Sequence, residues 1–423
     1  MGQSVLTGPF PRVDGEIRCG DVSARELAQR YGTPLYVYDL AWIRSRVALF
    51  HEAFAGVDHL LAYSVKANGN LSLLRELRDL GCGADITSGG ELFRARKAGI
   101  APDRIVFAGV GKTESEIAYA LDEGILAFNV ESASELRRID AVAAEKGVVA
   151  RFGVRVNPDV FAETPHEYTR TGHAETKFGV PWEEAPDLYR WARDREHLEP
   201  VGIDVHIGSQ IVEPAPYVRA IDRVLELVAE LRDDGIELDF LDIGGGYGIS
   251  YDHQPGMDVA ALARDVVPRV EAAGLRLLLE PGRSLVGEAG ILLTRVQYVK
   301  RTEAKTFVIV DGGMSELIRP SHYGGYHAIE TVTLHEGRER ATVDVVGPIC
   351  ETGDFLALDR ELPLPGEGEL LAVRTAGAYG FAMASNYNGR RRPAEVLVDG
   401  EEVRVIRRRE TFEDLIRGEE EDA

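Results

Sequence analysis

The sequence predicts an α/β fold in which a TIM-type (β/α)8 barrel precedes an antiparallel β domain. Its 423 residues exceed one ordinary compact core but suit a barrel of roughly 250 residues and a second domain. The middle of the chain alternates short apolar runs with segments of helical period. From about Gly287 onward, the apolar runs follow one another without helical segments between them.

Eight apolar or β-branched runs in the middle of the chain are predicted strands. Most precede a segment with apolar residues three and four apart, such as 71–80, 91–98 and 132–146. Eight strand-helix units in succession favour a closed parallel barrel over an open sheet. The predicted strands are 60–65, 83–86, 105–108, 126–130, 150–156, 201–207, 238–243 and 275–279.

The remaining runs predict the β domain, with strands at 291–300, 306–311, 341–346, 370–375 and 395–398. The first 35 residues have the pattern of strands and a short helix, and we expect them to pack on this domain. The predicted division is therefore 1–35, 36–286 and 287–423. The acidic tail 419–422 is expected to be disordered.

Composition excludes several classes of protein. With 70 acidic and 48 basic residues, the net charge is −22, which disfavours a nucleic-acid partner. No run approaches the roughly 20 apolar residues of a membrane span, and residues 1–14 lack the pattern of a signal peptide. Three cysteines without metal-ligand spacing indicate free thiols and no metal site. We therefore expect a cytoplasmic location.

Reactive residue types follow five of the predicted barrel strands, at the end where barrel enzymes place their active sites. Lys66 ends an apolar run, where desolvation favours a neutral amine suited to a Schiff base; the alternative is an ordinary solvated lysine. The full set is Lys66, Asp85, His206 with Gly208 and Ser209, Gly244 to Gly246, and Glu280 with Gly282 and Arg283.

The glycines after the seventh and eighth strands predict a phosphate site, with Arg283 supplying a charged fork. Glu280 ends a strongly apolar strand and needs a partner, either a protonated pyridine nitrogen or a barrel arginine. His206 is either a satisfied core histidine or a planar group that stacks on a ring.

Three loops of the β domain, at 319–326, 347–354 and 377–388, combine glycines with polar and aromatic side chains, as binding loops do. Cys350 is followed by Glu351, and a thiol beside a carboxylate could donate a proton. The alternative is that Cys350 is a small buried hydrophobe.

Several motifs in this order resemble the diaminopimelate decarboxylases, a pyridoxal-phosphate-dependent branch of the alanine racemase-like fold that includes ornithine and arginine decarboxylases. The resemblance runs over nearly the whole chain. Its motifs are Tyr63-Ser64-Val65-Lys66-Ala67-Asn68, 85–91, His206-Ile207-Gly208-Ser209-Gln210, Asp242-Ile243-Gly244-Gly245-Gly246, Glu280-Pro281-Gly282-Arg283, Arg319 with Tyr323, Cys350-Glu351, and Tyr379.

The resemblance implies a role for each matching residue. Lys66 would carry pyridoxal 5'-phosphate as a Schiff base, His206 would stack on its ring, and Glu280 would pair with the ring nitrogen. Cys350 would be the acid, and the family's head-to-tail homodimer would bring Cys350 and Glu351 from the partner subunit. The implied cofactor-binding residues also include Asp85, Ser209, Gly245, Gly282, Arg283 and Tyr379, and the implied substrate-binding residues are Arg283, Arg319, Tyr323, Glu351 and Tyr379.

The implied reaction is decarboxylation of meso-2,6-diaminopimelate to L-lysine and CO₂, the last step of lysine biosynthesis. A racemase of this fold is expected to carry arginine where Glu280 stands. Arg319 and Arg283 suit a distal carboxylate, although His322 replaces the family's usual apolar residue. The alternatives are a decarboxylase of another basic amino acid or of a carboxylated polyamine precursor, and a catalytically inactive regulatory homologue.

Overall fold

The structure, a computed structural model, describes residues 8–160, 177–252 and 254–419. The chain folds as two compact units. The β unit comprises Met1–Ser45, Ser250–Gln254 and Leu285–Ala423, and the barrel unit comprises Arg46–Ile249 and Pro255–Ser284. No helix of the described residues is long and apolar enough to cross a membrane. The expectations for residues 1–7 and 420–422 fall outside the described residues.

Strands alternate with helices through the barrel unit, and strands predominate in the β unit. In chain order, the strands are β1 (Arg12–Val13), β2 (Glu16–Cys19), β3 (Val22–Ser23), β4 (Leu35–Asp39), β5 (His59–Ser64), β6 (Gly83–Ile86), β7 (Ile105–Phe107), β8 (Ala127–Val130), β9 (Ala150–Asn157), β10 (Val180–Pro181), β11 (Leu198–Asp204), β12 (Phe240–Asp242), β13 (Arg276–Leu279), β14 (Gly290–Arg301), β15 (Thr306–Val310), β16 (Ile329–Thr331), β17 (Arg340–Val346), β18 (Phe355–Pro363), β19 (Leu370–Val373), β20 (Ala394–Asp399) and β21 (Glu402–Arg407). The α-helices are α1 (Ala24–Tyr31), α2 (Leu40–Ala53), α3 (Leu71–Asp79), α4 (Gly89–Ala98), α5 (Glu114–Glu123), α6 (Ala133–Lys146), α7 (Ala185–Arg193), α8 (Ala215–Asp233), α9 (Val259–Ala273), α10 (Arg283–Val286), α11 (Arg319–Tyr323) and α12 (Phe412–Leu415).

Eight parallel strands of the barrel unit close into a barrel. They pair in the order β5-β6-β7-β8-β9-β11-β12-β13, and β13 returns to β5 with Leu278 opposite Leu60. Leu60, Leu278, Val106 and Val201 belong to one buried cluster, and burying each such side chain contributes about 1.5–3 kcal/mol. The predicted barrel is confirmed, because each of the eight predicted runs contributes one of these strands.

The barrel helices begin and end at residues suited to those positions. A hydroxyl side chain accepts a backbone hydrogen bond at the start of α4, α5 and α6, and a left-handed glycine follows the last turn of each. The predicted helical segments 71–80, 91–98 and 132–146 appear as α3, α4 and α6. The caps are Ser88, Thr113 and Ser132 at the start, and Gly99, Gly124 and Gly147 at the end.

The main sheet of the β unit is mostly antiparallel, as expected, and runs in the order β18-β17-β15-β14-β4-β20-β21. Two of its pairings, β15 with β17 and β4 with β20, are parallel. The N-terminal segment packs on this unit as predicted, since Phe10, Ile17 and Leu27 share one buried core with Ile291 and Val396. Strands β4, β16, β18 and β21 were not predicted. The predicted division at residues 35 and 286 stays a prediction.

Candidate active site

The predicted barrel residues lie at or just after the carboxyl ends of strands, at the same end of the barrel. Lys66 lies in the turn after β5, and Asp85 lies within β6. His206 and Ser209 follow β11, Gly245 follows β12, and Glu280, Gly282 and Arg283 follow β13. The carboxyl ends of parallel barrel strands meet on one rim, and direct contacts join several of these residues there.

Lys66 is paired with a buried carboxylate. Its Nζ lies 2.8 Å from Oδ2 of Asp85, whose side chain is fully buried, while the Lys66 side chain is 37% exposed. The Ser64 hydroxyl lies 2.8 Å from the same Oδ2 and holds the carboxylate in place. An ion pair favours the charged ammonium. The expectation of a desolvated neutral amine did not include this neighbour, and it stays a prediction.

His206 presents a neutral ring at the rim. The Gly245 amide donates to Nδ1 over 3.1 Å, so the ring hydrogen lies on Nε2. Desolvation, followed by the charges of Arg155 and Lys66, lowers the pKa of His206 well below its usual value. A Cβ at Gly244 would lie 2.6 Å from Nδ1, so the close approach of this loop to the ring requires glycine.

Glu280 belongs to a buried cluster of carboxylates. Oxygens of Glu280, Asp204 and Asp242 lie within 4.8 Å of one another. The Asn129 amide nitrogen lies 3.3 Å from Asp242 Oδ2 and 3.4 Å from Glu280 Oε1. Burial, and then the charge of Asp242, raises the pKa of Glu280 well above its usual value. A cation held against Glu280 would instead stabilise its carboxylate form.

The spacing of these three carboxylates would also admit a hard metal cation. Burial, and then the charge of Asp204, raises the pKa of Asp242 to about 8, which favours protons over bare carboxylates. The expectation that the site has no metal stays a prediction.

Glycines and one arginine lie on the same rim. Arg283 donates through Nη2 to the Ser209 hydroxyl over 3.4 Å. A Cβ at Gly245 would lie 2.3 Å from the Glu280 carbonyl oxygen, and a Cβ at Gly282 would meet side chains at 3.0 Å. Only glycine fits the close backbone approach at residue 245, and Gly282 packs tightly against side chains. Backbone amides, a hydroxyl and a guanidinium suit a bound phosphate.

The donor set of the barrel rim fits pyridoxal phosphate. It combines an amine for the aldehyde carbon at Lys66, a carboxylate for a protonated ring nitrogen at Glu280 and a flat ring at His206. The glycine loops with Arg283 would meet the phosphate. Each chemical feature of the expected cofactor therefore has a matching group in one unit of the chain.

Arg319 and Tyr323 are the first and last residues of α11 in the β unit. The Arg319 guanidinium lies over the Tyr251 ring, 4.7 Å from its centroid, and donates to Nε2 of His327 over 2.7 Å. The Tyr323 ring packs edge-on against His322, with centroids 4.5 Å apart. The aromatic neighbours thus hold both predicted substrate-binding side chains.

The remaining predicted residues lie in two connections of the β unit. Cys350 and Glu351 are in the turn between β17 and β18, and Tyr379 follows β19. Cys350 is exposed, so the alternative that it is a small buried hydrophobe is wrong. The Glu351 carboxylate accepts a hydrogen bond from the Tyr387 hydroxyl.

The sequence reasoning missed the polar residues that surround the predicted ones. Asn129 and Asp204 end or nearly end apolar strands, and Arg155 ion-pairs with Glu131 over 2.9 Å inside the barrel. For Asn129 and Asp204, a single polar residue at the end of an apolar strand was the sequence signal that could have indicated them. His327 gave no such signal, because it precedes the short strand β16, which was not predicted.

Comparison with known proteins agrees with this site. Residues 40–287 match the family model "Pyridoxal-dependent decarboxylase, pyridoxal binding domain". The chain is 51% identical over 407 residues to the diaminopimelate decarboxylase of Aquifex aeolicus, covering 95% of each. It is 49% identical over 411 residues to that of Pseudomonas aeruginosa, covering 97% of this chain and 98% of the relative.

A solved structure extends the likeness to three dimensions. The crystal structure of the Helicobacter pylori diaminopimelate decarboxylase complexed with L-lysine superimposes with a TM-score of 0.90 at 43% identity, covering 94% of this chain and 100% of that one. By sequence and by structure, the chain belongs to the diaminopimelate decarboxylase family of pyridoxal-phosphate-dependent enzymes.

Proposed function

We propose that the chain decarboxylates meso-2,6-diaminopimelate to L-lysine and CO₂. One observation carries the proposal: Lys66, His206, Glu280 and Arg283 meet on one barrel rim in a chain that matches diaminopimelate decarboxylases over nearly its whole length. A relative that superimposes on the chain was crystallised with L-lysine, the product of this reaction.

The barrel residues hold the cofactor in this proposal. Lys66 is the covalent attachment point, and Asp85 positions its amine through their ion pair. Glu280 would keep a proton on the ring nitrogen, and His206 would lie against one face of the ring. The bound cofactor supplies an electron sink for the pair left at Cα when CO₂ departs. Ser209, the amides of Gly245 and Gly282, Arg283 and Tyr379 bind the phosphate.

The residues of the β unit bind and protonate the substrate. Arg319 binds the carboxylate that is retained, because a guanidinium fork suits a carboxylate, and Arg283 assists it. Tyr323, Glu351 and Tyr379 orient the amino groups and the carbon chain. Cys350 moves a proton from Sγ to Cα after CO₂ has left.

The active enzyme is a homodimer in this proposal. Cys350 and Glu351 are exposed in the described chain, and the partner subunit supplies them to each site. Three free cysteines suit a reducing compartment, so the enzyme acts in the cytoplasm.

Substrate competition tests the reaction. CO₂ release should be measured from meso-diaminopimelate, ornithine, lysine, arginine and carboxynorspermidine, each with pyridoxal phosphate. We expect release from meso-diaminopimelate at least about a hundredfold above the others, because each of them lacks the carboxylate that Arg319 would bind at the distal position. Release from another substrate with none from meso-diaminopimelate would contradict the proposal.

A further inference from the structure

His327 is a fully buried histidine in the β unit that the proposed chemistry does not use. Its Nε2 lies 2.7 Å from Nη1 of Arg319, and its Nδ1 lies 2.8 Å from the carbonyl oxygen of Arg374. The Tyr251 ring packs edge-on against the imidazole, with centroids 5.5 Å apart, and also lies under the Arg319 guanidinium.

These contacts determine the protonation state of the imidazole. A guanidinium has only donors, so Nε2 must accept from Arg319. A carbonyl oxygen has only acceptors, so Nδ1 must carry the hydrogen that points to Arg374. A neutral ring with its hydrogen on Nδ1 satisfies both contacts. A protonated ring would turn a donor towards Arg319 and place a second cation beside it.

The sheet holds the far side of the imidazole rigidly. β16 pairs antiparallel with β19, and the Arg374 amide extends that ladder by donating to the Ala328 carbonyl over 2.8 Å. The Arg360 guanidinium donates to the His327 carbonyl over 2.8 Å. Both ring nitrogens of His327 are therefore hydrogen-bonded, and Nε2 holds Nη1 of the Arg319 guanidinium.

We propose that His327 is a positioning residue that aims Arg319 at the distal carboxylate of the substrate. This inference rests on the proposed function, in which Arg319 binds that carboxylate. A neutral acceptor in a buried position orients the guanidinium without neutralising its charge. An aspartate or glutamate in the same place would neutralise that charge. His327 therefore orients Arg319 without placing a negative charge beside it.

Two ligands isolate the distal carboxylate. L-lysine keeps the carboxylate that decarboxylation leaves in place, whereas 1,5-diaminopentane has the same chain and amines without it. Isothermal titration calorimetry of the holoenzyme with each ligand gives two dissociation constants, and their ratio reports recognition of the carboxylate alone. Effects on the cofactor or on the shared amines cancel in this ratio.

Three variants separate the acceptor from the shape of the ring. His327→Gln brings an amide oxygen within reach of Arg319. His327→Asn is too short to reach Arg319 but can still donate towards the Arg374 carbonyl, and His327→Phe keeps the ring volume without an acceptor. His335→Asn, at an exposed histidine of the same unit, is the matched control. Cofactor content and the thermal midpoint establish that each variant is intact.

We expect His327→Asn to weaken L-lysine binding by about tenfold, to leave 1,5-diaminopentane binding within about twofold, and to raise KM more than it lowers kcat. His327→Gln should stay within about threefold of wild type, and His335→Asn should match it. If the Asn variant is not recovered as holoenzyme, His327→Phe takes its place with the same expected loss.

Two results would overturn the inference. One is an Asn or Phe variant that binds L-lysine as tightly as wild type or loses both ligands equally. The other is a Gln variant that is as weak as Asn. Failure of the proposed function looks different: wild type releases no CO₂ from meso-diaminopimelate, or Arg319→Gln fails to weaken L-lysine relative to 1,5-diaminopentane.

Discussion

Lys66 and its partner Asp85 yield a prediction that separates charge from reactivity. Lys66→Arg keeps a cation near the buried carboxylate but offers no amine that can bond to the aldehyde carbon. We expect a folded protein whose decarboxylase activity falls by at least about a thousandfold. Borohydride reduction with pyridoxal phosphate, followed by peptide mass spectrometry, should label residue 66 in wild type and nothing in the variant.

Lys97→Arg is the control, because Lys97 is an exposed lysine on α4. It should retain both activity and the label at residue 66. A label on a different lysine in wild type would contradict the assignment of Lys66.

The buried carboxylates yield a prediction about pH. Burial and the charge of Asp204 raise the pKa of Asp242 to about 8 from its usual 3.8. Between these two pH values the folded chain keeps a proton on Asp242 that the unfolded chain releases. A raised carboxyl pKa stabilises the fold at low pH, and this stabilisation is lost as pH rises, by at most about 1.4 kcal/mol per unit. Asp242→Asn is neutral throughout. We expect its free energy of unfolding, relative to wild type, to rise by about 1–3 kcal/mol from about pH 5 to pH 8.

Urea unfolding of the cofactor-free proteins at several pH values measures this difference. Asp233→Asn, at an exposed position on α8, should show no such trend. A difference between Asp242→Asn and wild type that is constant with pH would contradict the shifted pKa.

At the scale of single residues, the sequence predicted groups that stand alone at strand ends, such as Lys66, His206 and Glu280. It did not predict how they pair. Asp85 opposes Lys66 only because β5 and β6 are parallel neighbours with Ser64 opposite Asp85. Register and barrel closure create these contacts, and no local pattern encodes them.

The strands of the barrel were predicted because they are largely buried on both faces. The barrel strands are continuous apolar runs, because barrel strands are covered on both sides. β18 contains three consecutive charged residues, Asp359 to Glu361, and β21 has no buried residue. β16 has only three residues. Such short or half-polar edge strands lack the apolar run on which the prediction depended.

Helix α5 yields a prediction about local stability. Thr113 caps its N-terminus, and Glu116 completes a capping box while also accepting from the Gly89 amide over 2.8 Å. Thr113→Ala should lower the free energy of unfolding by about 1 kcal/mol, because the first-turn amide loses its acceptor. Chemical denaturation measures this loss, and KM should not change, because Thr113 is not among the proposed binding residues.

Ser115→Ala is the control within the same helix. Ser115 is in the first turn, and its hydroxyl contacts that of Thr113 over 3.2 Å without being the cap. Its effect should stay below about 0.5 kcal/mol. Equal losses from the two substitutions would contradict the capping role of Thr113.

At the scale of the whole molecule, the two ends of the chain meet in one sheet. β4, near the N-terminus, pairs with β14 through Ile291 and with β20 through Val396. The sequence indicated a strand-like beginning and a β-rich end. The pairing could not be predicted, because the whole barrel lies between these partners in the chain and no local signal spans that separation.

The proposed homodimer with shared sites predicts the behaviour of mixed subunits. Lys66→Ala and Cys350→Ala homodimers should each lose most activity, although Cys350→Ala should still bind the cofactor. In a mixed dimer one site carries both defects and the other carries neither. Random reassociation makes half of the dimers mixed, so the mixture should regain about a quarter of wild-type activity.

Co-expression of the two variants with different tags, followed by purification through both tags, isolates the mixed dimers, which should have about half of wild-type activity. A mixture of Lys66→Ala with Glu280→Gln is the matched control. Both of these residues belong to the barrel unit, so every site of the mixed dimer keeps one defect and no activity should return. Sites that do not share residues across subunits would give no recovery in either mixture, and the role of Cys350 from the partner subunit would then be wrong.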